Sequence, residues 1–285
     1  MNRGRVLVTG IHRWLINSDY LANAVVHVIE QPSGITHRKA HHMSVFVLVH
    51  GSWHDGEAWT DVAGELRKLG HEAHHPTMAG HGIDADRDVS HDDCVASFAD
   101  YISEYDLSDV VLVGHSFGGS VIARLAAQIP EKIRRLVFWN AFVPAHGTSV
   151  LDNAPPAYQE MLPQLAALST DNSAMLPWEI WRDAFIGDAD LARAQETYRM
   201  LTPEPVGPSV EKLDMRAFYD LTTVPRSYVL CHDDAGLPPG DPQYGYLANA
   251  RRLGVFRLVT LDGSHEVLYT NPSLLAEKLV LAGRD

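Results

Sequence analysis

The sequence has few cysteines, a shortage of positive charge and no apolar run long enough to cross a membrane. Its two cysteines, Cys94 and Cys231, cannot form a disulfide framework and are typical of a reducing compartment, so we expect a cytoplasmic protein. A formal charge of −13 at pH 7 disfavours nucleic acid as a partner. We expect a small-molecule partner and no membrane partner. The sequence leaves the oligomeric state open between a monomer and a homodimer.

The first 42 residues do not share the patterning of the rest of the chain. Residues 5–10 resemble the first strand of a dinucleotide-binding fold, but the glycines that would cradle a pyrophosphate do not follow. A signal peptide is an alternative, but His12, Arg13 and Asn17 interrupt its apolar patch. We therefore predict that residues 1–42 form a poorly ordered N-terminal extension and that residues 43–285 form the folded domain.

Alternating strand and helix patterns follow from residue 43 onward. Short apolar runs predict about six strands, at residues 45–49, 72–75, 110–114, 133–139, 226–231 and 255–261. Amphipathic segments between them predict flanking helices, so the fold class is α/β with a mostly parallel sheet. Residues 144–225 differ, because prolines punctuate several helical pieces there. We interpret this segment as a helical lid inserted after the strand at 133–139.

One serine lies where a buried strand turns sharply into a helix. The apolar run at 110–113 leads into Gly114-His115-Ser116-Phe117-Gly118, and a helical pattern follows. This arrangement is typical of a nucleophile elbow, in which glycines let the backbone pass close to itself and expose the serine hydroxyl. Ser116 is therefore the candidate nucleophile.

A serine hydroxyl needs a base to accept its proton and an acid to orient that base. His265 follows the last predicted strand and is the candidate base. Asp234 follows the preceding strand and is the candidate acid, with Asp233 as the alternative if the loop register is off by one residue. Asn140 stands where some such enzymes place the acid, but it has no carboxylate, which favours Asp234.

Two backbone amides are candidates for binding a developing oxyanion. One belongs to Ser52, in the turn after the first strand of the domain, and the other to Phe117. Tryptophans are candidates for lining an apolar substrate pocket: Trp53, Trp139, Trp178 and Trp181. The histidines at 71–81 alternate between the faces of a strand and lack ligand spacing, so we expect no metal and no cofactor.

Several segments together resemble the α/β-hydrolase superfamily. They are the strand and turn at 46–51, His54 with Trp59, the elbow at 114–119, the segment at 228–238, and Gly263-Ser264-His265. The chain is most similar to the branch that contains plant methylesterases and hydroxynitrile lyases, and also resembles bacterial esterases that hydrolyse the methyl carbamate carbendazim. The resemblance implies a serine hydrolase that cleaves an ester-like bond, with the acid at Asp234.

Two positions depart from the hydroxynitrile lyases of this branch. Those enzymes need a threonine and a lysine where this chain has Gly51 and Glu266. A glutamate opposes the stabilisation of cyanide that the lysine supplies. We therefore predict hydrolysis. A lyase on the same scaffold, or a binding protein without turnover, are the alternatives.

Overall fold

A computed structural model of the protein describes residues 43–285 and the backbone of residues 26–28. A seven-stranded parallel sheet forms the centre of the protein. The strands are β1 (Val26–Val28), β2 (Val45–Val49), β3 (Glu72–His74), β4 (Val110–His115), β5 (Ile133–Trp139), β8 (Arg226–Cys231) and β9 (Phe256–Leu261). Their order across the sheet is β1-β9-β8-β5-β4-β2-β3, and every neighbouring pair is parallel. The predicted mostly parallel sheet is confirmed.

Apolar side chains of β4 alternate between two cores, one on each face of the sheet. Val111 and Val113 belong to one core, and Val110 and Leu112 belong to the other. Successive side chains of a strand point to opposite faces, so a strand buried on both faces must be apolar throughout. Helices cover the two faces: α1 (Thr60–Lys68), α2 (His91–Glu104), α3 (Gly118–Gln128), α9 (Tyr246–Arg251), α10 (Val267–Thr270) and α11 (Pro272–Ala282).

A helical insertion separates β5 from β8. It contains α4 (Pro156–Ala166), α5 (Trp178–Ile180), a π-helical turn (Trp181–Phe185), α6 (Leu191–Tyr198), α7 (Val206–Val210) and α8 (Arg216–Asp220). Two short strands, β6 (Ser173–Ala174) and β7 (Glu204–Pro205), pair antiparallel within it. The helices lie inside the predicted range of 144–225, and prolines stand at or just before the first residue of α4, α5 and α7.

The predicted N-terminal extension lies mostly outside the described residues and stays a prediction. The exception is the backbone of Val26–Val28, which pairs with residues 256–258 of β9 and adds a seventh strand to the predicted six. Among the helices that the structure describes, none has the length and hydropathy needed to span a bilayer.

Candidate active site

The turn between β4 and α3 holds Ser116 in a strained backbone conformation. Its φ is 51°, a left-handed value that is costly for a residue with a β-carbon. The chain passes very close to itself here. A β-carbon on Gly114 would lie 2.6 Å from the carbonyl oxygen of Gly118, and one on Gly118 would lie 2.7 Å from that of His50. The tight packing of backbone against backbone explains why the elbow needs glycines.

Gly118→Ala is expected to lower the free energy of unfolding by about 1–3 kcal/mol, because the added methyl group overlaps backbone atoms that cannot move aside cheaply. Thermal unfolding followed by circular dichroism measures the effect. Gly64→Ala, in α1, is the matched control, since its methyl group meets nothing within 4 Å. Helix propensity predicts that the control is neutral or stabilised. Equal melting temperatures for the two variants would contradict the close approach at the elbow.

His265 and Asp234 lie side by side beyond the ends of β9 and β8. The Nδ1 atom of His265 is 2.6 Å from Oδ2 of Asp234, and both side chains are buried. Two further donors reach the same carboxylate: the backbone N–H of Gly236 donates to Oδ1 at 2.7 Å, and the Asn140 amide donates to Oδ2. The carboxylate is therefore oriented from three sides.

Asp233 lies apart from His265. It is exposed, and its carboxylate accepts a hydrogen bond from the N–H of Gly263 at 3.0 Å. The structure thus brings Asp234, and not Asp233, to the histidine. Asn140, which the sequence analysis considered only as a missing acid, has a φ of 36° and supports the acid instead.

Two further residues adjoin His265: Tyr246, which no motif indicated, and Glu266, which the sequence analysis considered only as a departure from the lyases. The hydroxyl of Tyr246 lies 2.9 Å from Nδ1 of His265, and burial together with the charge of Asp234 raises the pKa of this phenol well above its usual value. The buried carboxylate of Glu266 lies 3.4 Å from Nε2 of His54 and accepts no hydrogen bond from the described residues. Burial raises the pKa of Glu266, while His54 and His265 oppose that shift. In the sequence, only the position of Glu266 directly after His265 indicated that its carboxylate lies near the base.

The pKa of His265 is raised above its ordinary value. Burial alone lowers it, but the charge and hydrogen bond of Asp234, together with the charge of Glu266, more than offset that effect. The ring of His115 lies 4.5 Å from that of His265 and adds no positive charge, because burial holds the pKa of His115 well below its usual range.

A general base must be neutral to accept a proton, so the raised pKa of His265 has a direct kinetic consequence. The acid limb of kcat/KM is expected to have its midpoint above about 6.5, the value of an unperturbed imidazole. Glu266→Gln is expected to move the midpoint to lower pH, because it removes a charge that favours the imidazolium. The pH profiles of wild type, Glu266→Gln and the exposed control Asp233→Asn test this. A midpoint that is identical in all three proteins would refute the influence of Glu266.

The amides of Ser52 and Phe117 are available to a ligand. Within the part of the chain that the structure describes, neither N–H has a hydrogen-bond acceptor. The loop that carries Ser52 passes directly over the elbow, since a β-carbon on Gly51 would lie 2.9 Å from Cβ of Ser116. The threonine of the lyases would therefore not fit at this position without a backbone shift.

Ser116 and His265 open onto one narrow cavity beneath the insertion. It has a volume of about 50 Å³ and is lined mainly by apolar side chains. The apolar lining residues are Trp53, Phe142, Val150, Leu151, Ala154, Leu162, Phe185 and Leu237. Ser52, Tyr158, Ser209 and Tyr246 supply the polar part of its wall.

Of the four tryptophans expected to line the pocket, only Trp53 does so. This corrects the expectation for the other three, whose side chains pack against other residues. Trp139 is stacked on the ring of His115 at 4.0 Å, and the indole N–H of Trp181 donates to the carbonyl oxygen of Ala194 at 3.1 Å. Trp178 packs edge-on against Tyr198 in the insertion. Trp139 and Trp181 are therefore part of the hydrophobic core, and Trp178 packs against it.

The described residues contain one group of side chains with metal-binding atoms close together: His115, His265 and Glu266, whose candidate atoms lie within 4.8 Å of one another. The centroids of the two imidazole rings are 4.5 Å apart, and the ring planes are tilted by 40°. Nδ1 of His265 is already engaged by Asp234. We therefore assign no metal to this group.

Comparison with known proteins agrees with this geometry. The model of the alpha/beta hydrolase family matches residues 46–278. The carbendazim hydrolyzing esterase of Nocardioides sp. (strain SG-4G) is 32% identical over 249 residues, which cover 85% of this chain and all of that protein. Methylesterase 1 of Arabidopsis thaliana is 31% identical over 220 residues, or 70% of this chain and 81% of that protein.

A solved structure gives the same result. An extracellular alpha/beta-hydrolase from a Paenibacillus species, described as sharing structural and functional homology with tobacco salicylic acid-binding protein 2, superposes with a TM-score of 0.82. It is 43% identical, and the match covers 85% of this chain and all of that one. The chain therefore belongs to the alpha/beta hydrolase family, in the branch of the methylesterases and the carbendazim hydrolyzing esterase, and is an ester hydrolase.

Proposed function

We propose that Ser116, His265 and Asp234 form a catalytic triad that hydrolyses a carboxylic ester or methyl carbamate of a small, largely apolar molecule, without a cofactor. One observation carries the proposal: His265, hydrogen-bonded to Asp234 at 2.6 Å, shares a mostly apolar cavity with the strained elbow serine. This arrangement supplies a nucleophile, its base and the acid that orients the base.

The proposed reaction begins at the hydroxyl of Ser116. The N–H at Nδ1 of His265 donates a hydrogen bond to Asp234. Nε2 therefore carries the free lone pair that accepts the serine proton. The serine oxygen attacks the carbonyl carbon, and the N–H groups of Ser52 and Phe117 bind the resulting oxyanion. His265 then protonates the departing alcohol, which leaves an acyl- or carbamoyl-enzyme. A water molecule, activated by the same histidine, hydrolyses this intermediate and restores the serine.

The shape of the cavity supports a small substrate group next to the serine. Its volume of about 50 Å³ accommodates a methyl or short acyl group more readily than a bulky one. The relatives support the same choice, since one is named for hydrolysis of carbendazim and another is a methylesterase. We therefore propose methanol as the leaving alcohol, from a methyl ester or from a methyl carbamate such as carbendazim.

A panel of substrates tests the proposal: short aryl esters, methyl esters of aromatic acids, carbendazim and mandelonitrile, each with wild type and with Ser116→Ala. We expect serine-dependent turnover of esters or carbamates. Cyanide should be released from mandelonitrile no faster than in buffer, because Glu266 places a carboxylate where the lyases have a cation. Cyanide release without ester or carbamate turnover would favour a lyase. Tight binding without any turnover would favour a binding protein.

A cytoplasmic location and a homodimer stay predictions. Both cysteines are buried and free, in keeping with a reducing compartment. Cell fractionation tests the location, and analytical ultracentrifugation tests the oligomeric state.

A further inference from the structure

The loop that carries Ser52 adopts a conformation that its own sequence does not favour. We call residues 50–54, which follow β2, the oxyanion loop. Trp53, the fourth of these residues, has a φ of 63°, which is unusual for a bulky residue and persists only where surrounding contacts impose it. If the N–H of Ser52 binds the oxyanion, its direction depends on whatever imposes this conformation.

The insertion supplies those contacts through one carboxylate. Glu204, in β7, is buried, and each of its oxygens accepts a hydrogen bond from the oxyanion loop. Oε1 accepts from the hydroxyl of Ser52 at 3.1 Å, and Oε2 accepts from the backbone N–H of Trp53 at 2.9 Å. The carboxylate therefore binds the residue that bears the candidate amide and the residue after it.

Further bonds hold the same loop. The N–H of Thr202 donates to the carbonyl oxygen of Trp53 at 2.8 Å, and the indole N–H of Trp53 donates to the carbonyl oxygen of Ala174 at 2.9 Å. On the loop itself, Nδ1 of His54 lies 2.7 Å from the carbonyl oxygen of Ser52. The N–H of Ser52 is left without an acceptor in the described part of the chain.

A buried negative charge near an oxyanion site would oppose catalysis unless it were neutralised. His81 provides that neutralisation. Its Nδ1 lies 2.9 Å from the carbonyl oxygen of Ala79 and must donate to it, while its Nε2 lies 3.0 Å from Oε2 of Glu204. Two bare acceptors do not approach so closely, so one proton lies between Nε2 and the carboxylate. The His81–Glu204 pair is then neutral overall.

From this geometry we propose that Glu204 is a positioning residue that aims the N–H of Ser52 at the oxyanion, with His81 as its charge partner. The insertion thus completes the oxyanion hole in addition to covering the cavity. This inference rests on the proposed hydrolase function. It assigns to the insertion a role in the chemical step, through a residue that does not line the cavity.

Glu204→Gln tests the proposal, because a neutral amide cannot keep all three bonds of the carboxylate. With its nitrogen at the position of Oε2 it faces the N–H of Trp53, and with its nitrogen toward the hydroxyl of Ser52 its oxygen faces Nε2 of His81 without the charge that holds a proton between them. Complete loss of an oxyanion donor lowers kcat about 10²- to 10³-fold, so misalignment of one donor is expected to lower kcat about 10- to 100-fold. KM should change little, since the cavity wall is intact. Ser52→Ala keeps the backbone N–H but removes one of the two bonds to the loop, and its kcat should fall less than that of Glu204→Gln.

A transition-state analogue separates this role from a purely structural one. The tetrahedral adduct of an aryl boronic acid with Ser116 places an oxygen in the oxyanion hole, so its inhibition constant should rise in proportion to the loss of kcat. Glu211→Gln, elsewhere in the insertion, is the control and should leave both quantities unchanged. Its carboxylate accepts from the N–H of His91 and not from the oxyanion loop.

The outcomes are distinct. If Glu204→Gln raises KM alone, or if Glu204→Gln and Ser52→Ala both leave kcat and boronate affinity unchanged, the positioning role is overturned while the hydrolase function stands. If Glu204→Gln does not fold, Ser52→Ala decides by the same two measurements. If the wild-type protein neither turns over esters or carbamates nor binds the boronate, the proposed function fails and the role of Glu204 falls with it.

Discussion

Ser116→Ala is expected to lower kcat for ester or carbamate hydrolysis on the order of 10⁶-fold, as when the nucleophile of other serine hydrolases is removed. The reason lies in the elbow, where Ser116 is held at a φ of 51° between β4 and α3 and faces the same cavity as His265. No covalent intermediate can form without its hydroxyl. The residual rate would come from substrate binding and the oxyanion site alone.

A fluorophosphonate probe tests whether Ser116 is an activated nucleophile, and it needs no known substrate. We expect labelling of Ser116 alone, because only a serine with an adjacent base reacts. Ser209→Ala is the matched control: it removes a second hydroxyl from the wall of the same cavity and should leave labelling intact. Labelling that survives Ser116→Ala would remove this serine from its proposed role.

Asp234→Asn is expected to lower kcat on the order of 10⁴-fold, the loss seen when a triad histidine is held in the wrong tautomer. An amide group at this position also meets too many donors, because Nδ1 of His265, the N–H of Gly236 and the amide of Asn140 all approach the carboxylate. A buried donor left without an acceptor costs about 1–3 kcal/mol, so the melting temperature should fall as well.

Asp233→Asn provides the comparison for the acid. Its carboxylate is exposed and binds the N–H of Gly263, so activity should change little. Steady-state kinetics of both variants on one ester decide between the two residues. A large loss in Asp233→Asn with a mild effect in Asp234→Asn would mean that the loop adopts a different register in solution.

Local sequence was sufficient to predict the strand and turn around Ser116. The apolar run of β4 and the two glycines lie within a few residues of the serine, so a short stretch of sequence indicates the elbow, although the backbone that requires glycine at 118 is that of His50. The positions of His265 and Asp234 followed from the order of strands, because the ends of parallel strands meet at one edge of the sheet. The family resemblance added the choice of Asp234 over Asp233, which the hydrogen bond to His265 supports.

The tryptophans expected to line the pocket could not be assigned from sequence in the same way. A tryptophan side chain is compatible both with a core and with an apolar pocket, and only the packing of the folded chain decides which of the two it occupies. Trp139 stacks on His115, whereas Trp53 has its indole N–H bound by Ala174 and faces the cavity. Composition gave the same expectation for both.

The sequence by itself thus determined the parallel sheet, the strained serine and the order of the catalytic candidates, because each depends on periodicity or on turn residues close together in the chain. Only the tertiary structure decided the electrostatic surroundings of the site. Glu204 is 152 residues from Ser52, and Tyr246 reaches His265 from a helix that carries no motif. Such contacts join elements that are far apart in the sequence and meet only in the folded domain, so no local pattern records them.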